Sequence, residues 1–424
     1  MTVTQKLTIR FHTSFFLCVI IAGLLCFFSA AVNAQETTVR NDNLIPISDL
    51  GDVVKRLLKK KVDTVKDAKP SKMSILPSIG YNPSFGFVIG AKISAIKQYG
   101  VPENTSLSSF GLEGIYSTKG VITGQARHNV FTEGNKLNFQ GNWQLSKFLI
   151  ADYGIGTGNK EEYQHKSDST FLIRFTFIRL TEKVYRKIGP HLFAGGGISF
   201  DIRYNINDEQ LKVLSSSPHK RYGLRNDFDS SNYSANGLLL ALQYNTREHP
   251  LRSYGGIYAD FNLRFNQKWM GSTKNAIQLI YDLRKYISLS KRNPEHVFAL
   301  WHWASYKLSG AVPYLELPAT AYDTYGRSGR AYTMGRFKGP SYACFEAEWR
   351  FPITRNKLVS GVAFINLQTA SDDVEKKIFQ YWEPGGGGGL RILFNKQSRS
   401  TICMDYARGK YGANGFFFGL NEVF

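Results

Sequence analysis

His296 and His302 flank Trp301 and Trp303, Asp372 and Asp373 stand side by side, and Gly385 to Gly389 form an unbroken glycine run. Such groups can serve as a general base, a cation ligand or a phosphate cradle. Their surroundings argue otherwise. A phosphate loop continues into Lys and Ser or Thr, whereas Leu390 and Arg391 follow these glycines. The run therefore reads as a flexible lead into a strand, or as a bend in a curved sheet. The acidic pair reads as solvated loop charge, and the His–Trp stretch as strand aromatics near a membrane interface. No G-x-S-x-G elbow occurs, which argues against an attached lipase or patatin activity. C-x-x-C and H-E-x-x-H are also absent, so no zinc site is indicated. The expectation is a protein that is not an enzyme, with no catalytic residue, metal or cofactor.

The elements that would position these residues begin after a leader. Lys6 and Arg10, the apolar stretch Phe15 to Phe28, and Val32-Asn33-Ala34 before Gln35 have the layout of a secretory signal over residues 1–34. Cleavage removes those two cations and no acid, which takes the net charge of +20 to +18. Of four cysteines, Cys18 and Cys26 leave with the leader. Cys344 and Cys403 fall in strand-like segments. If these are three strands apart, their Cα atoms are ~14 Å from each other, too far for a disulfide.

Residues 35–72 read as a periplasmic linker with one short amphipathic helix. Ile47, Leu50, Val54, Leu57 and Leu58 recur at helical spacing, with Lys55, Arg56, Lys59, Lys60 and Lys61 crowding the end. A cationic helix of this kind suits an anionic membrane surface or the rim of a barrel; a helix packed on the barrel and a solvated basic linker are the alternatives.

From residue 73 the period becomes two. Phe85, Phe87, Ile89 and Ala91 alternate with Gly86, Val88, Gly90 and Lys92; Leu137, Phe139, Gly141 and Trp143 alternate with Asn138, Gln140, Asn142 and Gln144; Phe171, Ile173, Phe175 and Phe177 alternate with Leu172, Arg174, Thr176 and Ile178. About 16 such segments can be counted, 168–181 and 186–203 among them, most of them ~10 residues or longer, the length of a tilted membrane strand. With 30 Phe, 23 Tyr and no long apolar helix after the leader, the chain predicts an all-β fold: a transmembrane antiparallel barrel over 73–424. The long connections 148–167, 204–234, 307–340 and 369–385 all fall on one end, and the short ones on the other, as in outer-membrane barrels. The final strand ends in Phe424, with Phe416, Phe418 and Leu420 expected on the same face; Glu422 is expected near headgroup level, where a charge costs least.

Four segments then carry a resemblance. LQYNTREHPLRSYGG (242–256), GRAYTMGRFKG (329–339), EAEWRFPI with GVAFINLQ (346–353 and 361–368), and GGLRILFNKQSRSTICMDYARGKYG (388–412) resemble, in order, motifs of the bacterial surface-antigen barrel of the BamA/TamA-like superfamily. The resemblance implies an outer-membrane barrel in a Gram-negative bacterium and a C-terminal aromatic insertion signal at Phe424. It also implies a long loop pinned inside the lumen by an Arg. Arg330, Ala331 and Tyr332 match that loop motif, with Ala331 where the family has Gly. A Gly there permits a positive φ that Ala resists, which predicts looser docking or a different turn. Asn366 stands at the position of the family's partner Asp, and Glu348 and Asp405 are other partners for Arg330. Members that assemble barrels carry periplasmic polypeptide-transport-associated domains, which take up clients by strand addition. The 38 residues of 35–72 are too few for one.

The function expected is an accessory or specialised factor in outer-membrane protein assembly or export, acting with a protein partner. A pore or exporter, and a scaffold for surface proteins, are the alternatives. Outer-membrane lipid and lipopolysaccharide account for the dispersed cations, and no nucleic acid is expected.

Overall fold

The computed structural model describes residues 47–59, 72–82, 86–158, 171–209, 217–291, 293–372 and 378–424. The leader, Lys60, Lys61, Phe85 and Asp373 lie outside them. The first eight strands are β1 (Lys72–Asn82), β2 (Gly86–Lys97), β3 (Ser108–Ser117), β4 (Ile122–Phe131), β5 (Leu137–Asp152), β6 (Phe171–Gly189), β7 (Leu192–Asp208) and β8 (Tyr233–Asn245). The second eight are β9 (Gly256–Asn266), β10 (Ala276–Ser288), β11 (Val297–Gly310), β12 (Ser341–Pro352), β13 (Val359–Ala370), β14 (Glu383–Asn395), β15 (Ser400–Gly409) and β16 (Asn414–Leu420). They form one 16-stranded sheet in chain order, antiparallel at every junction. The sheet curls until β1 and β16 lie side by side. These two strands share no ladder among the described residues, which leaves a seam.

The polarity is inverted relative to a soluble domain. Phe87, Ile89, Leu112, Tyr116, Leu145 and Leu240 are exposed on the outside, while Lys92, Asn142, Asp201, Arg264 and Glu348 are buried inside. Charged interior residues persist because they pair with one another, as Arg264 and Arg179 do around Asp201 at 2.7 and 2.6 Å. Cys344 and Cys403 are both buried and free.

Three expectations are corrected. First, Phe171, Ile173, Phe175 and Phe177 face inward and are almost fully buried. The top of β6 stands under a cap made by the long connections, so its apolar row packs on that cap. Second, β6 continues through 182–185 to Gly189, because the turn lies at Pro190 and His191, where His191 adopts φ 59°. Third, the last strand stops at Leu420. Asn421 has φ 67°, and the chain turns inward there. Phe424 is buried against Trp301, rings 5.2 Å apart, and Glu422 is buried in the lumen. Trp301 and Trp303 likewise point inward; His302 takes the other face, stacked 3.7 Å from Phe345.

The linker helix α1 (Leu50–Leu57) is capped by Asp49, in a reciprocal box with Asp52. The same two acids dock it. Asp49 accepts from the Lys396 backbone N at 3.0 Å, and Asp52 pairs with Lys396 Nζ at 2.7 Å. Ser48 N donates to Asn356 O at 3.0 Å. The helix is thus fixed at the turns after β12 and β14, and not beside the seam. Val54, Leu57, Leu58, Arg56 and Lys59 remain exposed.

Candidate functional site

The 311–340 segment folds into the lumen, where Arg330 meets a group of buried carboxylates. Arg330 is buried to 5% exposure. Its guanidinium donates to Glu346, to Glu348 at 2.6 Å and to Asp405 at 2.9 Å. The guanidinium carbon lies 3.4 Å from the centroid of the Phe364 ring. β12 supplies two of these acids at alternate positions, β15 the third and β13 the ring. A planar fork suits this site, since it can serve several carboxylates at once. Asn366 does not meet the guanidinium. Its Nδ2 donates to the backbone carbonyl of Arg330 at 2.8 Å, so it holds the main chain of the motif.

Ala331 adopts φ 96° and is buried. The turn that Gly would favour is therefore kept with Ala, at the cost of backbone strain. Ala331→Gly should raise stability by roughly 0.5–1 kcal/mol, measured as a higher unfolding midpoint; a lower midpoint would show that the methyl packing outweighs the strain.

Tyr332 Oη donates to Pro384 O at 2.5 Å and accepts from Lys410 N at 2.9 Å. Glycines make room for it. A Cβ on Gly409 would lie 2.5 Å from the Tyr332 ring, and one on Gly385 would lie 2.9 Å from Arg330 O. Gly389 is constrained likewise, since its Cβ would lie 1.9 Å from Asp405 Oδ1. The five-glycine run is thus part of β14, and its inward members leave space for the loop motif and its partners.

Further buried charges extend the cluster. Arg350 donates to Glu348 at 2.6 Å and to Phe424 O at 2.8 Å. Arg391 donates to Asp405 and, at 2.7 Å, to Glu422. Arg252 lies 3.2 Å from Glu422 and donates to Ser360 at 2.8 Å. Arg327 grips the end of β16 through the carbonyls of Leu420, Asn421 and Glu422. Sequence reading missed Glu346, Arg350, Arg391, Arg252 and Arg327. Glu346, Glu348 and Arg350 were legible as a charged row of period two on β12; the others become partners only through the strand order.

Both ends of the lumen are covered. On the long-loop end, Tyr222 of α2 (Pro218–Asn226) donates to Val312 O at 2.8 Å, and Tyr233 accepts from Leu315 N at 3.1 Å. Val312, Tyr314, Leu315 and Leu317 pack there with Phe175, Ile206 and Phe228. Burial pushes the Lys338 ammonium down to about 8, with Asp152 beside it acting in the opposite direction. On the other end, the turn 246–255 folds beneath the lumen. Glu248 closes it by accepting from Tyr254 N at 2.7 Å, and Arg252 reaches across to β13. Gly256, which opens β9, adopts φ 94°. Between roof and floor lies a cavity of about 300 Å³, lined by cations that include Lys92, Arg127, Arg179 and Arg284.

Residues 122–392 match the Omp85 superfamily domain. The chain belongs to this superfamily. Among solved structures, the fold is similar to BamA from Haemophilus ducreyi lacking POTRA domains 1–3, at 14% identity over 92% of this chain and 76% of that one, TM-score 0.54. It is also similar to CdiB from Acinetobacter baumannii, at 11% identity over 83% of this chain and 59% of that one, TM-score 0.50. No curated protein matches the chain in sequence. An Omp85 barrel is an outer-membrane barrel, so the exposed apolar belt of this sheet faces lipid, the short turns face the periplasm and the long loops face outward.

Proposed function

We propose that this Omp85 barrel is an accessory or specialised factor in outer-membrane protein assembly or export, working with a partner protein. The observation that carries the reading is the seam. Unpaired strand edges are costly in lipid, and β1 and β16 stand side by side without a ladder among the described residues. An incoming strand can pair there and take up the vacant donors and acceptors. The clamp formed by Arg327, Arg391 and Arg350 holds the β16 side, which leaves β1 as the side able to yield.

A partner has two places to dock: the outer loops, and the rim where α1 presents Val54, Leu57 and Leu58 beside its cations. The same helix face suits the anionic leaflet, and the outer-loop cations suit lipopolysaccharide. The covered lumen weighs against a freely conducting pore.

A photo-crosslinking residue at Phe418, 51% exposed on β16, is expected to capture nascent outer-membrane or exported chains in growing cells. The same residue at Leu240, 58% exposed on β8 and remote from the seam in strand order, is expected to capture lipid alone. Equal capture at both positions, together with steady conductance of the purified barrel in liposomes, would overturn the reading in favour of a channel.

A further inference from the structure

Glu182 faces the wrong way for an acid in this fold. Its cross-strand partner on β5 is Gly141, whose partner on β4 is His128. The three form one row on the outer face, beside Trp143, which is 49% exposed. Leu180 and Val184, on either side of Glu182 along β6, are exposed on the same face. Among the described strand residues, every other carboxylate points into the lumen or into the loop cap. Glu182 is the one acid set in the lipid-facing belt.

The site around it is built. Glu182 Oε1 meets His128 Nε2 at 2.9 Å, and Oε2 accepts from Trp143 Nε1 at 3.0 Å. The His128 and Trp143 rings meet edge to face, 5.9 Å apart. Gly141 makes this possible: a Cβ there would lie 2.1 Å from His128 Cε1 and 2.6 Å from Glu182 Oε2. Glu182 retains 28% side-chain exposure and His128 22%, so the group opens onto the surroundings. Gly141 is four residues above the start of β5, ~13 Å along the strand, which places the row toward the periplasmic leaflet.

Ionisable residues in a membrane wall are costly and are kept for a function. A carboxylate has about four acceptor sites, and His128 and Trp143 are the two donors that meet this one among the described residues. Around this face the other donors come from lipid, and the donor that matches a carboxylate is a primary ammonium. We infer that His128, Gly141, Trp143 and Glu182 form a binding site for a phospholipid headgroup carrying a primary ammonium, such as phosphatidylethanolamine. The ammonium donates to Glu182, and the indole of Trp143 lies beside it as an amphipathic wall. Choline headgroups carry no N–H and cannot make the same bond.

The test uses the full chain in nanodiscs containing equal parts phosphatidylethanolamine and phosphatidylcholine, with retained lipid read by native mass spectrometry. The wild type should retain phosphatidylethanolamine about tenfold over phosphatidylcholine, the scale of one charge-assisted hydrogen bond. Glu182→Gln should abolish the preference while heat-modifiable migration stays as in the wild type. Gly141→Ala keeps the carboxylate but crowds the notch, and should lose most of the preference by itself, which covers the case in which Glu182→Gln fails to fold. Equal retention of both lipids by the wild type, or an undiminished preference in both variants, would overturn the site.

Discussion

Arg330→Ala should free the 311–340 segment from the lumen. The substitution removes the one group that Glu346, Glu348 and Asp405 share, at 2.6 Å for Glu348 and 2.9 Å for Asp405. Three carboxylates are then left in a buried cluster with Arg350 and Arg391 as the cations beside them among the described residues. Leaving buried charge without its partner costs about 3–5 kcal/mol, far above the ~0–1 kcal/mol of a surface pair. Two measurements follow. The temperature at which the folded band converts to the unfolded one should fall sharply, and added protease should cut within 311–340 on intact cells. Arg330→Lys should fall between, because a point charge cannot fork across three acids. Glu346→Gln should cost less in the Arg330→Ala background than alone, since it removes one of the uncompensated charges. Unchanged protease access and an unchanged unfolding temperature would reduce Arg330 to an ordinary loop cation.

The second large effect is expected at Glu422. Its carboxylate accepts from Arg391 at 2.7 Å and faces Arg252 at 3.2 Å, joining the residues after β16 to β14 and to the periplasmic floor. Arg391 retains Asp405, whereas Arg252 retains Glu295 at 3.5 Å as its one acid among the described residues, with the neutral Ser360 hydroxyl as its other partner. Glu422→Ala should therefore destabilise by about 3–5 kcal/mol as well, and the loss should appear first at the seam side and the floor. Trypsin should then cleave faster after Arg252, which is 2% exposed in the intact fold. Glu209→Ala supplies the contrast for ion pairing: the Arg174–Glu209 pair at 2.6 Å is about a third exposed on each side, so losing it should cost no more than ~1 kcal/mol. If Glu422→Ala behaves like loss of that surface pair, the clamp on β16 carries no stability.

The number and order of the strands were legible before the fold because alternation is a local property. A segment such as 137–147 declares two faces through residues two apart, and a lipid-facing strand must keep that pattern for its whole length. Loop asymmetry was legible for the same reason, since connection lengths need no knowledge of contacts. The motif Arg330-Ala331-Tyr332 was also legible, with Glu348 and Asp405 near it. Glu346 was missed because the cluster draws on β12 to β15 together, and no spacing in the chain states which acids share one guanidinium. Asn366 was matched to the right motif and the wrong group, because a sequence position does not distinguish a side chain that meets the guanidinium from one that meets the carbonyl beside it.

The sequence alone determined the all-β architecture, the count of membrane-length strands and the end that carries the long loops. These follow from the repeat of side-chain direction along an extended backbone. Only the tertiary structure decided which apolar rows face lipid. Phe171 to Phe177 have the same alternation as a lipid-facing strand, yet they are buried because the loop cap covers that height of β6. It also decided that Glu422 and Phe424 turn into the lumen, since one residue at φ 67° redirects the chain after the ladder ends. Last, it decided the seat of α1, whose acids at 49 and 52 find Lys396 more than three hundred residues away. Period fixes the two faces of a strand, but what lies against each face depends on segments far away in the chain.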